Sequence, residues 1–155
     1  MTLLRDFTRI PSEIIRFFCS AEPQTGARVV ADSEKLFNSG FPVRIVQHCR
    51  VAKAIAEVHL DADDLWLCME GEASFVCGGR LIEPIEQVPG ELTFLAPSIV
   101  EGKVVNLKKG DWLLIPAGQP HQPVTSLSAS LAIVKLPARE GRVQLDYLLR
   151  FNIGT

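Results

Sequence analysis

The chain has 155 residues, about the length of one domain, and its 16 basic and 18 acidic residues leave a net charge of −2. That balance gives no cationic surplus to neutralise phosphates, so a nucleic-acid partner is not expected. With 47% hydrophobic and 22% charged residues the chain can fill a core, which excludes wholesale disorder. No apolar run approaches the ~20 residues of a membrane helix, so no membrane partner is expected either.

The stretch Ile10 to Ala21 is apolar, but Glu13 and Arg16 interrupt it and no small-residue cleavage site follows. It therefore reads as a short helix over Pro11 to Ser20 rather than a secretory leader. Pro11 stands at the first helical position, and Ile14, Ile15, Phe17 and Phe18 give the helix a docking face. A second helix is expected from Asp32, as its N-cap, through Leu36 and Phe37 to a stop at Asn38-Ser39-Gly40. Residues 1–41 then form an N-terminal helical and extended segment packing on the main body.

From Pro42 the texture changes to short Val-, Ile-, Leu- and Phe-rich stretches separated by Gly, Pro and Asn, the pattern of an all-β sandwich or barrel. Strands are expected near 43–48, 53–60, 64–69, 72–77, 80–82, 103–107, 112–115, 122–125 and 130–136. Glu70-Gly71-Glu72 and Cys77-Gly78-Gly79-Arg80 read as hairpin turns. The segment from Glu83 to Glu101, with Pro84, Pro89, Gly90 and Pro97, reads as one long irregular loop. The all-β body covers 42–137. A tail over 138–155 turns polar and then ends in Leu145, Tyr147, Leu148, Leu149 and Phe151, so the whole is one domain. Cys19, Cys49, Cys68 and Cys77 form no CxxC pair, which reads as reduced thiols in a cytoplasmic protein.

Only three histidines occur in the chain. His59 lies in Glu57-Val58-His59, where alternation puts Glu57 and His59 on one strand face. Asp64 follows a turn and opens the next strand, where it can face the same interior. Asp61 and Asp63 are its rivals, because Asp61 shares the parity of His59. His121 arrives from far along the chain. Two imidazoles and two carboxylates meeting inside a barrel suit a first-row divalent cation, because a water-poor interior tolerates such groups only when they are paired or metallated. His48 has the wrong parity and reads as structural or exposed. Trp66 and Cys68 share the face of Asp64; Trp66 is a candidate wall of a ligand pocket and Cys68 is core filling. Gln119 and Gln122 flank His121 as candidate substrate-binding groups. Arg44, Arg50 and Lys53 are candidates for holding an anion.

These residues sit in a recognisable pattern. Gly110, Pro116, Gly118 and His121 reproduce the second motif of the cupins (G, five residues, P, one, G, two, H) without a gap. Glu57-x-His59, four residues, Asp64, six residues, Gly71 reproduces the spacing of the first motif, with Glu57 replacing its first His and Asp64 its usual Glu. Val51 and Thr125 stand where the family carries Gly and Asn. From about Val51 to Leu136 the chain thus resembles the cupins, and its Ala56–His59, Gly71–Ala73, Gly78-Gly79 and Ile115–His121 stretches are similar to a subgroup of small single-domain bacterial cupins. The resemblance implies a double-stranded β-helix, or jelly-roll, barrel and a metal site. Cupins host many reactions, so it does not name one.

Three functional expectations follow. The leading one is a metal-dependent enzyme acting on a small polar metabolite, a sugar derivative or a carboxylate, by isomerase, epimerase or dioxygenase chemistry. Glu57, His59, Asp64 and His121 would hold Fe²⁺, Mn²⁺, Ni²⁺ or Zn²⁺. The two carboxylates formally neutralise the dication, and Glu57, when it swings off the metal, is the one evident catalytic base. The alternative is a non-catalytic small-molecule-binding or sensor module. A homodimer is expected from the apolar outer strand face and tail, in keeping with the family habit.

Overall fold

The computed structural model describes residues 9–32, 43–52, 54–90 and 92–138. Among the described residues one helix, α1 (Ser12–Cys19), precedes twelve strands. These are β1 (Gly26–Ala31), β2 (Val43–Cys49), β3 (Ala56–His59), β4 (Ala62–Cys77), β5 (Arg80–Ile82) and β6 (Ile85–Glu86), followed by β7 (Thr93–Ala96), β8 (Ser98–Val100), β9 (Lys103–Lys108), β10 (Trp112–Ile115), β11 (His121–Pro123) and β12 (Ser128–Pro137). The expected helix forms, with Pro11 one position earlier than read: its φ of −62° and ψ of 140° make it the N-cap. The second expected helix, Lys53 and the tail beyond Ala138 lie outside the described residues.

Two antiparallel layers make a jelly-roll barrel. The front layer runs β1-β2-β12-β4-β10, and the back layer runs β9-β4-β11-β3-β7-β6. Strand β4 belongs to both. Its first half pairs with β12 and β10, and its second half pairs with β9 and β11. The alternation Asp64, Trp66, Cys68 and then Ala73, Phe75 points inward, and with Leu131, Ile133, Leu107 and Ile115 it fills the space between the layers. A second core, Ala56, Val58, Leu60, Leu81 and Ala96, packs behind the back layer, so β3 is covered on both faces. Helix α1 lays Ile15 and Phe18 against Val43 and Ile45.

Several local expectations are corrected. Glu70-Gly71-Glu72 is no hairpin: the chain runs through it as one 16-residue strand, bending where Gly71 takes a φ of +75°. Cys77-Gly78-Gly79-Arg80 does turn the chain, but β5 leaves β4 and pairs with β8 in a separate two-stranded sheet. The supposed irregular region from Glu83 to Glu101 holds β6, β7 and β8. The strand expected at 122–125 is His121–Pro123, and β1, unforeseen, adds an edge to β2.

Candidate metal centre

Each layer contributes to one cluster. Glu57 and His59 lie two apart on β3 and so share a face. His121 opens β11 directly opposite Glu57 in the ladder, and Asp64 comes from the front layer near the start of β4. The turn before His121 is tied down at two points: Gly118 N donates to His59 O at 2.7 Å, and Ala117 N donates to Asp63 Oδ1 at 2.7 Å. The rival carboxylate Asp63 is thereby spoken for, while Asp64 joins the cluster.

One ligand atom from each of Glu57, His59, Asp64 and His121 lies within 4.8 Å of all the others. His121 Nε2 is 3.2 Å from both Glu57 Oε1 and Asp64 Oδ2, and His59 Nε2 is 3.7 Å from Glu57 Oε2 and from Asp64 Oδ2. Asp64 and His121 are buried, whereas the Glu57 side chain remains 33% exposed. Glu57 is therefore the member that solvent meets first.

The arrangement fits a dication by its own chemistry. Despite the short separations, neither imidazole Nε2 makes an aligned hydrogen bond, and neither does either oxygen of Asp64. The four groups face a common point rather than one another. The opposite ring nitrogens are engaged: His121 Nδ1 donates to Gln119 O at 3.3 Å, and His59 Nδ1 lies 3.0 Å from Thr93 Oγ1. A neutral ring whose Nδ1 donates, as that of His121 does to Gln119 O, turns its Nε2 lone pair inward, the orientation that metal-binding histidines are usually held in. Buried donors left without partners carry a real cost, which a bound cation removes.

The proton balance of the cluster follows from the same contacts. Burial alone would raise the carboxyls of Glu57 and Asp64. For Glu57 the close His121 and His59 outweigh it, and for Asp64 His121 and Lys135 do, so both stay below the usual carboxylate range. Burial would likewise lower His121, but Asp64 and Glu57 lift it to about 9. Without metal, His121 therefore carries a proton at neutral pH, which an incoming cation must displace.

Lys135 is a member that the sequence argument missed. It stands opposite Asp64 in the β12–β4 ladder, and its Nζ lies 2.5 Å from Asp64 Oδ1, which leaves Oδ2 toward the histidines. The contact is an ion pair without hydrogen-bond alignment. It also changes the charge count: two carboxylates and one ammonium give −2 + 1 = −1, so a dication leaves the site at +1 rather than neutral.

The topology identifies the architecture independently. The first motif runs from β3 to the Gly71 bend, the second runs from the turn before β10 to β11, and together they bring four donors between two jelly-roll layers. The fold is a jelly-roll barrel, as the resemblance to the cupins implies. Solved structures to which it is similar include a hydroquinone 1,2-dioxygenase in complex with Cd²⁺ and 4-hydroxybenzonitrile, at 20% identity and a TM-score of 0.48 over 79% of this chain and 69% of that one. A cupin-2 domain protein from Shewanella frigidimarina shows 16% identity and a TM-score of 0.43 over 81% and 90%. The EutQ protein of Clostridium difficile shows 14% identity and a TM-score of 0.40 over 68% of this chain, which spans only 58% of EutQ. No protein-family model and no curated protein sequence matches the chain.

The other candidates separate clearly within the barrel. His48 is fully buried, not exposed; its ring packs on Trp66 and Phe75, and its Nδ1 lies 3.4 Å from Thr125 Oγ1. Thr125, at the position of the family's Asn, is buried and accepts a hydrogen bond from Ser74 N. Trp66 is buried in the core with its ring tilted against Phe75 and its indole N–H unpartnered. Gln122 projects away from His121 and donates from Nε2 to Ala54 O at 2.7 Å. Gln119 serves the cluster through its carbonyl. Arg44 is exposed on β2. All four cysteines are free thiols.

Proposed function

We propose that Glu57, His59, Asp64 and His121 hold one divalent transition metal, Fe²⁺, Mn²⁺, Ni²⁺ or Zn²⁺, and that the protein acts enzymatically on a small molecule by isomerase, epimerase or dioxygenase chemistry. The observation that carries this reading is the convergence of four donor atoms within 4.8 Å while both imidazole Nε2 atoms lack hydrogen-bond partners. A cation at that point supplies Lewis acidity toward negative charge developing on a substrate oxygen. The chain's own groups do the rest. His59 and His121 are fixed in orientation through Nδ1, and Lys135 holds one Asp64 oxygen away from the cluster. Glu57, the most exposed donor and ionised at neutral pH, would act as the base for a molecule arriving at the mouth once it swings off the cation.

Metal analysis of the purified protein tests this. We expect about one transition-metal ion per chain, lost in His121→Ala and retained in His48→Gln, whose ring lies outside the cluster. Equal metal content in the two variants, with both folded, would remove the assignment. Folded, metal-free wild-type protein that still binds small molecules would favour the sensor alternative.

A further inference from the structure

We infer that the barrel mouth selects a small, mostly apolar molecule bearing one carboxylate, with Arg50 taking the carboxylate and the far end of the molecule reaching Glu57. This names a ligand class for the centre proposed above and rests on that proposal. A cavity of about 700 Å³ opens beside Glu57, within the ~300–1,000 Å³ typical of small-molecule sites. Leu95, another lining residue, stands opposite Glu57 in the β3–β7 ladder, and Pro123, also lining it, lies two residues beyond His121 on β11. Both therefore project on the cluster's side of the back layer, so the cavity is the antechamber of the metal centre.

The walls restrict what can enter. Of the eleven lining residues, only Thr25, Arg50 and Glu57 carry polar side chains; the others are small, or apolar like Val51, Ile55, Leu95 and Pro123. A sugar entering this space would strip water from several hydroxyls with few partners to replace it, at a cost of ~1–3 kcal/mol for each one left unpaired. A hydrocarbon body meets no such penalty and would cover Ile55, which is 60% exposed at the rim.

Arg50 supplies the polar anchor. It is exposed, and among the described residues no acidic group pairs with it. Its backbone is also held at a φ of +45°, a conformation costly for a long side chain and cheap for glycine. A guanidinium fork matches a carboxylate in two parallel hydrogen bonds, and one unshared cation suits one negative charge.

Calorimetric titration distinguishes the possibilities with three probes: 3-phenylpropionate, 3-phenylpropanol (the same body uncharged) and gluconate (the same charge on a hydroxylated body). In wild-type protein, 3-phenylpropionate should bind at least tenfold more tightly than either of the others. Arg50→Gln should abolish its advantage over the alcohol. That advantage should persist in His121→Ala, because Arg50 is not a metal ligand. Gluconate binding as well as 3-phenylpropionate, an unchanged preference in Arg50→Gln, or no binding of 3-phenylpropionate at millimolar concentration would each overturn the inference. The acid-against-alcohol comparison in wild type needs no variant to fold. A protein that keeps the Arg50-dependent preference but takes up no metal refutes only the metal proposal.

Discussion

Lys135 and Asp64 illustrate how one side chain can set the properties of another. On β12 the inward positions run Leu131, Ile133, Lys135, so a cation closes an otherwise apolar stripe. That break was visible in the sequence, because lysine on a buried strand face is rare unless it is paired. The partner was not visible, because it depends on the β12–β4 register across roughly seventy residues of chain. Replacing Lys135 by Met leaves the buried Asp64 carboxylate with His121 as its cationic partner and Oδ1 without one. The metal-free protein should lose roughly 1–2 kcal/mol, less than for a fully buried pair because the ammonium is partly solvated. Added Mn²⁺ or Zn²⁺ should then raise the melting temperature more in the variant than in the wild type, which thermal denaturation with and without metal will read. His48 gives the complementary case. Burial against Trp66 and Phe75 lowers its pKa to about 4. From pH 6.5 down to about 4 the unfolded chain takes up a proton there that the folded chain refuses, so stability falls across that window, by roughly 3 kcal/mol at most. Chemical denaturation of His48→Gln against pH should show a shallower acid decline than wild type.

At the scale of elements, the legible strands were those with apolar alternation facing a large core: β2, β9, β10 and β12 all fall where the pattern put them. The failures share a physical cause. Strands β6, β7 and β8 have two to four residues each, with little full burial, and prolines stand beside them, so neither length nor period distinguishes them from loop. Strand β4 misleads for the opposite reason. Where it passes between layers, Glu70, Gly71 and Glu72 are all exposed, and two charges around a glycine look like a turn. Gly71 is required there by backbone as well as by bend: its φ is positive, and a Cβ would strike the Ser128 carbonyl. Gly71→Ala should therefore cost at least ~2 kcal/mol, measurable as a drop in denaturant midpoint. An unchanged midpoint would mean that the bend relaxes more easily than its contacts imply. The grouping of Glu57, His59, Asp64 and His121 was readable despite these errors because it depends on spacing within β3, early β4 and β11, where the chain is locally regular.

At the scale of the molecule, one outer face is left uncovered among the described residues. Trp112 and Leu114 project from β10, at the edge of the front layer, and are 61% and 52% exposed, beside Leu65 and Leu67 on β4. The expected homodimer would have reason to form there, since lone apolar side chains are common on surfaces but adjoining ones at a sheet edge are not. Light scattering of wild type against Trp112→Lys tests this: a dimer that becomes a monomer is the expected result, and a monomeric wild type ends the idea. Helix α1 shows how the same kind of surface is managed elsewhere, since it shields Val43 and Ile45 on β2.

The strand that crosses between layers has a consequence for cooperativity. Because β4 is hydrogen-bonded into both sheets, the two cannot part without disrupting backbone hydrogen bonds along it. A sandwich joined only by side chains can open like a book; this one is stitched along its spine. Its halves should therefore rise and fall in a single event, with the mouth of the barrel free to breathe while the hinge line stays shut.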